Sequence, residues 1–260
     1  MAVMMPRFRS VLITGASSGI GNALARACAT EGANLHLSGR DPARLEATAA
    51  ACRSRGVEVS TALIDVRDAE AMAAWITGAG HLDLVVGNAG ISATGDEMPE
   101  STRDILATNL CGVLNTVLPA MQAMASQEPG PDGLRGRIAA IASIAAFIPS
   151  PEAPAYCASK AAVDAWMVGS VPAARASGIA LTSVCPGFIR TPMTAGHQFP
   201  MPGLMDAERA ALITLRGIEA GRTRVVFPWW IGFAARIGAL LPPHWTAGIG
   251  ARWRRKARFE

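Results

Sequence analysis

Six short apolar runs recur along the chain, each parted from the next by a longer, alanine-rich stretch, and this alternation restricts the possible folds most. The runs are SVLITG (10–15), NLHLSG (34–39), VEVSTALID (57–65), LDLVVGNAG (82–90), GRIAAIAS (136–143) and IALTSVCPG (179–187). Most are near-continuously apolar, the pattern of parallel strands covered on both faces. Of the intervening stretches, DPARLEATAAACRSRG (41–56) reads most clearly as helix, with Asp41 as N-cap, Pro42 in the first turn and Gly56 as the stop. The β-α-β-α order predicts an α/β, doubly wound parallel sheet of about seven strands with helices on both faces. With 50% of residues hydrophobic, the chain has ample material for such a core. SQEPGPDGLRG (126–136) is a Gly/Pro loop too short to divide domains, so a single domain over 1–260 is expected.

Charge and cysteine usage narrow the function classes. The segment ARWRRKARFE (251–260) holds five of the 24 basic side chains and one of the 20 acids, leaving 19 of each sign elsewhere. The body is neutral and the positive charge belongs to a tail, so no nucleic-acid surface is expected. Cys28, Cys52, Cys111, Cys157 and Cys185 are scattered and odd in number, which fits reduced thiols in a cytoplasmic compartment. His36, His81, His197 and His244 are equally isolated, and no metal is expected. The basic, polar PRFRS leads straight into the first run, which does not fit a signal peptide.

TGASSGIG (14–21) follows the first predicted strand and opens a helix. Gly15 permits a sharp turn, Gly19 lets the backbone approach a pyrophosphate, and Gly21 lets the helix lie close to the sheet. The helix N-terminus then offers free N–H groups and partial positive charge to an anion, with Ser17 and Ser18 as added donors. A tight turn without ligand is the plainer reading, and the strand-then-helix context argues against it.

PAYCASK (154–160) contains the only tyrosine of the chain, Tyr156, four residues before Lys160. A helix puts both on one face. A free phenol, with a pKa near ~10, is a poor base at neutral pH; a nearby ammonium favours its phenolate. Ser143 ends a predicted strand, at the edge where open α/β sheets hold ligands, and its hydroxyl can donate to a carbonyl oxygen. Alone, Tyr156 reads as a buried aromatic, Ser143 as a cap and Lys160 as a surface cation; jointly they read as a site.

The spacing T-G-x-x-x-G-x-G, followed in order by NAG (88–90), Asn109 in ATNL, Ser143, YCASK (156–160) and PGFIRTPM (186–193), resembles the classical short-chain dehydrogenase/reductase family over roughly residues 9 to 227. The resemblance implies a Rossmann-type fold and nicotinamide-dependent oxidoreduction. It implies that Tyr156 passes the proton, Ser143 orients the substrate, and Lys160 tunes Tyr156 while holding the nicotinamide ribose. Asn109 would maintain a water link from Lys160 toward solvent, although an asparagine inside a helix also marks a bend. By the same resemblance Gly15, Ser17, Ser18, Gly19, Ile20 and Gly21 cradle the phosphates. Asp65 and Val66 flank the adenine, while Asn88, Ala89 and Gly90 border the adenosine ribose. Pro186, Gly187, Ile189 and Thr191 approach the nicotinamide. Asp65 has a second reading, as a cap for the helix beginning near Asp68.

The tip of the second strand reports on the adenosine ribose. Gly39 stands where NAD-selective relatives carry aspartate, and Arg40 follows; a guanidinium matches a 2′-phosphate, so NADP(H) is expected, with NAD the other candidate. Arg40 pairing with Asp41 is the plainer reading, and Ser18 is not the second basic contact that NADP-users often carry.

A substrate lid is expected near 191–205, where PMTAGHQFPMPGLM suits either an apolar, lipid-like carbonyl or alcohol substrate or the packing of a closed lid on the body. Beyond it the chain departs from the family. The 17 positions from Val225 to Leu241 are interrupted by Pro228 and Arg236, and fall short of the ~20 apolar residues of a membrane span. The extension 228–260 reads equally as a membrane-surface element, with Trp229, Trp230 and Trp245 at headgroup depth, or as a cover for a partner subunit or the substrate mouth. A homo-oligomer is expected, a dimer rather than the family's usual tetramer, cytoplasmic with peripheral membrane contact as an option. A different-class reading is a nucleotide sensor or membrane scaffold without turnover; the complete Ser143–Tyr156–Lys160 set favours the oxidoreductase.

Overall fold

The computed structural model describes residues 8–92, 98–196 and 200–242. The six predicted runs form β1 (Ser10–Ile13), β2 (Asn34–Gly39), β3 (Glu58–Leu63), β4 (Leu84–Gly87), β5 (Gly136–Ile141) and β6 (Ile179–Pro186). Two short strands follow, β7 (Ile189–Arg190) and β8 (Met205–Asp206), then β9 (Arg224–Phe227). The helices are α1 (Gly19–Cys28), α2 (Pro42–Arg53), α3 (Ala69–Gly78), α4 (Pro99–Leu106), α5 (Gly112–Ala125), α6 (Pro154–Gly169), α7 (Val171–Ala176), α8 (Ala207–Glu219) and α9 (Trp229–Gly238).

Seven strands form one parallel sheet in the order β3-β2-β1-β4-β5-β6-β9, a Rossmann-type arrangement. The order reverses between β1 and β4, which opens a crevice beyond their carboxyl ends, the place where such sheets bind ligands. On one face Leu24, Leu45, Ala211 and Leu215 pack from α1, α2 and α8. On the other, Met72, Val113, Val117, Val163 and Met167 pack from α3, α5 and α6. At ~25 cal/mol per Å² of apolar surface removed from water, this double burial is the main stabilising term. β3 departs from the expected two-sided cover: as an edge strand it is largely exposed, Leu63 included. β9 was not among the predicted runs; RVVF is only four residues long and carries a cation at its start.

Asp41 caps α2 as expected, its carboxylate accepting from Arg44 N at 3.0 Å. The cap of α3 is Asp68, which accepts from Ala71 N at 3.0 Å, so Asp65 is not the helix cap. Between α4 and α5, Ala107–Cys111 forms a single π-helical turn around the buried Asn109. The run 99–125 is, among the described residues, the one helical stretch long and apolar enough to cross a bilayer. Its Val113, Val117, Ala120 and Met124 belong to the core, which accounts for the apolarity without a membrane. The expected lid, 191–205, is described except for 197–199, and its flanks are tied together by the β7–β8 ladder. Trp245 and the basic tail lie outside the described residues.

Candidate functional site

The glycine turn joins β1 to α1 and closes on itself. A Cβ at Gly21 would run into Gly15 O, and Gly19, with φ +56°, leaves room for Thr191, whose Cγ2 would lie 3.0 Å from an added Cβ. Asn88 Nδ2 donates to Thr14 O (2.9 Å) and Gly15 O (3.1 Å). The asparagine expected at the adenosine ribose therefore spends its side chain stapling the turn to the end of β4. Thr14 Oγ1 accepts from Asn88 N at 3.0 Å and Ala89 N at 3.2 Å, completing the staple.

Two features of the turn fit an anionic ligand. Ser18 is the N-cap of α1 but its hydroxyl caps nothing, which leaves the first-turn N–H groups without a side-chain acceptor. The Ser17 hydroxyl is buried and has no hydrogen-bond partner among the described residues. It rests against Gly39, where any side chain would collide with it. The sequence reading missed this contact: an aspartate at 39 requires Ser17 to turn away.

A cleft of ≈ 320 Å³ runs from this turn past the ends of β1, β4, β5 and β6. Of the expected site residues it is lined by all but Gly21, which lies beneath the turn, and Asn109, which is fully buried. It is lined as well by Arg44, Ile91 and Thr108, none of them expected. Arg44 stands one turn into α2, and only a folded chain brings it beside Arg40.

At the mouth, Asp41 pairs with Arg44 at 3.0 Å, leaving Arg40 a longer 3.8 Å contact with Asp65. Asp65 is already held by Arg67 Nε (3.0 Å) and Nη2 (2.7 Å). Hydrogen bonds from the Arg67 side chain, against an opposing effect of burial, hold the Asp65 carboxyl below the usual range. Its charge is thus engaged elsewhere, and Arg40 remains an accessible cation. Val66 packs against Gly112 of α5, fixing the adjacent wall.

At the other end, α6 carries Tyr156 and Lys160 on one face, as their spacing requires. Ser143 follows β5: its hydroxyl accepts from Ala145 N at 3.1 Å, capping a short 3₁₀ turn, donates to Pro186 O at 3.5 Å, and acts on the neighbouring Tyr156 phenol. Lys160 Nζ donates to Ile141 O at 2.7 Å and lies 5.7 Å from the centre of the Tyr156 ring. Burial decides both titrations. It pushes the Tyr156 phenol up, with the Ser143 hydrogen bond opposing, and pushes the Lys160 ammonium down to about 8. The expected lowering of the phenol by Lys160 is not found: burial raises the phenol, and the opposing effect comes from Ser143, not from Lys160. Asn109 Oδ1 accepts from Ile91 N (2.8 Å), and its Nδ2 donates to Ile91 O (2.9 Å) and Ser159 Oγ (3.2 Å). The π-turn brings this side chain between the end of β4 and α6.

One turn beyond Lys160, Asp164 is buried and takes both arms of Arg224, at 2.9 and 2.7 Å, plus the Ser183 hydroxyl at 2.7 Å. This network pins α6 to β6 and β9. Burial raises the Asp164 carboxyl, but the hydrogen bonds from Arg224 and Ser183 together carry it below its ordinary value.

A family model described as short chain dehydrogenase matches residues 9–199. An uncharacterized oxidoreductase of Myxococcus xanthus is 34% identical over 242 residues, covering 90% of this chain and 93% of the relative. A longer oxidoreductase of Mycobacterium tuberculosis is 38% identical over 200 residues, a match covering 74% of this chain and 33% of that protein. Among solved structures, a short-chain dehydrogenase from Sphingobium yanoikuyae in complex with NADPH aligns with TM-score 0.76 at 27% identity, covering 88% and 94% of the two chains. One from Mycobacterium paratuberculosis bound to NAD aligns with TM-score 0.72 at 25% identity, covering 84% and 95%. Sheet order, glycine turn and paired Tyr156–Lys160 therefore agree with the sequence match: the chain belongs to the short-chain dehydrogenase/reductase family of oxidoreductases.

Proposed function

We propose that this protein interconverts a carbonyl and a secondary alcohol of an apolar substrate, with NADP(H) as the redox partner and Tyr156 as general acid/base. The observation that carries the reading is the convergence of Ser143, Tyr156 and Lys160 at one end of a cleft whose other end is the glycine turn. The uncapped start of α1 and the unpartnered Ser17 hydroxyl fit a dinucleotide phosphate and its ribose. The nicotinamide group, when bound, supplies or accepts the hydride.

The chain's own residues do the rest. In reduction Ser143 orients the carbonyl oxygen by donating to it, and Tyr156 delivers the proton to that oxygen as it gains charge. Lys160 adds positive charge behind the phenol and holds the nicotinamide ribose. Asn109 holds the Ile91 backbone and, through Ser159, the first turn of α6, since Ser159 Oγ donates to Tyr156 O at 2.7 Å. The direct test is NADPH oxidation over a panel of ketones and aldehydes of increasing chain length. Turnover that rises with chain length supports the reading, and none with any carbonyl contradicts it.

The NADP(H) preference rests on Arg40 and on Gly39, where no carboxylate stands to repel a 2′-phosphate. Arg40→Asp is expected to shift the NADPH-to-NADH ratio of kcat/KM toward NADH by roughly 10–100-fold, the loss of one charge-assisted contact. An unchanged ratio removes Arg40 from the phosphate site.

Lys160 adds a pH dependence. With its ammonium at about 8, the cation is present below that pH and discharged above it. Affinity for the anionic dinucleotide is expected to hold constant up to about pH 8 and to fall beyond it. Lys160→Met should bind weakly throughout with no break near 8. Fluorescence titrations of NADPH across pH check both.

A further inference from the structure

We infer that the outer face of α9 docks on an anionic lipid bilayer and turns the mouth of the cleft toward it, so that the substrate is a carbonyl or alcohol dissolved in that bilayer. The substrate part rests on the oxidoreductase reading above; the docking part does not.

α9 is amphipathic in an unusual sense. Its inner face is small: Gly232 and Ala235 are buried, and Gly232 lies against Val226 and Ile144. Its outer face is large and apolar. Trp229, Phe233 and Ile237 recur every four residues with Leu240 just beyond, which puts them in one row. Trp229 is 74% exposed, Phe233 61% and Leu240 85%. The cation of the helix, Arg236, lies over the Phe147 ring at 4.3 Å, off the line of the row.

The charge of the adjoining sequence fits an anionic surface. After α9 the sequence 243–260 contains five basic side chains, Arg252, Arg254, Arg255, Lys256 and Arg258, against one acid, Glu260. An apolar helix face and a polybasic segment together are the two signals that stable surface binding needs; neither suffices alone. The helix, ten residues long, is too short to cross a bilayer and suited to lie in its surface.

Position links the face to the cleft. Ile144 and Ile148, which α9 contacts, stand one and five residues after Ser143, and Gly238 is packed against the Ile148 side chain. On the opposite side Gly203, in the segment returning from the cleft, is packed against Pro228 and Ile231. Gly187, a cleft residue, is packed against Pro228 as well. A bilayer seated on Trp229, Phe233 and Leu240 therefore borders the opening through which substrate reaches Ser143 and Tyr156.

The test compares the intact protein with a Trp229→Ser, Phe233→Ser, Leu240→Ser variant, all three sites being solvent-exposed. Each is centrifuged with vesicles of phosphatidylglycerol plus phosphatidylcholine, or of phosphatidylcholine alone. The intact protein is expected to sediment with the anionic vesicles, less so in high salt, and the variant to partition roughly a hundredfold less. NADPH oxidation with a water-soluble ketone should be equal for the two, while a long-chain ketone dispersed in the anionic vesicles should be reduced at least ~10-fold more slowly by the variant. An intact protein that stays in the supernatant overturns the inference, as does a variant that sediments equally or a dimer that the variant splits without any vesicle binding. Vesicle binding with no turnover on any carbonyl supports the docking and overturns the oxidoreductase reading instead.

Discussion

Replacing Tyr156 with phenylalanine is expected to lower kcat/KM for carbonyl reduction by roughly 10²–10⁴-fold while leaving NADPH affinity within about twofold of the unaltered protein. The change removes one oxygen from the cleft and nothing from the turn that would hold the phosphates. Ser143 keeps its cap contact with Ala145 N, and Lys160 keeps its bond to Ile141 O, because neither runs through the phenol. What the variant would lose, on the proposed mechanism, is the proton donor at the substrate oxygen. A loss confined to the reacting step lowers kcat and kcat/KM together, whereas a loss of uniform binding raises KM alone. Steady-state kinetics and a fluorescence titration on the same preparation separate the two. Turnover at the unaltered rate removes Tyr156 from the reaction and revives the sensor reading.

The second large effect concerns stability. Asp164→Ala is expected to destabilise the protein by about 3 kcal/mol, near the lower end for breaking a buried ion pair, because the Arg224 partner keeps some access to water. For a chain of this size that corresponds to a fall in Tm of roughly 6–12 °C. The pH dependence has a definite sign. The folded carboxyl titrates below its ordinary value of 3.8, so the pair's contribution is complete above that pH and is lost as pH falls through the lower folded value. Thermal melts at neutral pH check the magnitude, and melts in acid check that the gap between the two proteins narrows. A variant melting like the unaltered protein would mean that Ser183 and Arg224 find equivalent partners without the carboxylate.

Much of this architecture could be read from the residues alone. The glycine turn, Ser143 and the Tyr156–Lys160 pair are local patterns, each set within one strand end or one helical turn. Period and spacing are enough to locate them. Arg224 and Asp164 are 60 residues apart and meet only because β9 lies beside β6; no periodicity announces such a pair. Arg44 needed the folded α2 to come alongside Arg40. Asn88 lines the cleft as its motif suggested, but that its amide also staples the glycine turn to the end of β4 could be seen only in the folded chain. Gly39 gave a cofactor signal through an absent carboxylate, while its packing on the Ser17 hydroxyl was hidden. β9 escaped notice because four residues hold too little pattern. The exposed row on α9 was visible as apolar sequence, but which side it faced depended on Gly232 and Ala235 taking the inner one.

Tyr156 is the only tyrosine in 260 residues, so its ionisation can be followed by ultraviolet difference absorbance with no competing phenol. Burial raises its midpoint above the ordinary value in the protein alone, and an oxidised nicotinamide, if bound in the cleft, would favour the phenolate through its positive charge. The account predicts a midpoint above the ordinary value without dinucleotide and about a unit or more lower with saturating NADP⁺. A midpoint that NADP⁺ leaves unmoved would contradict it.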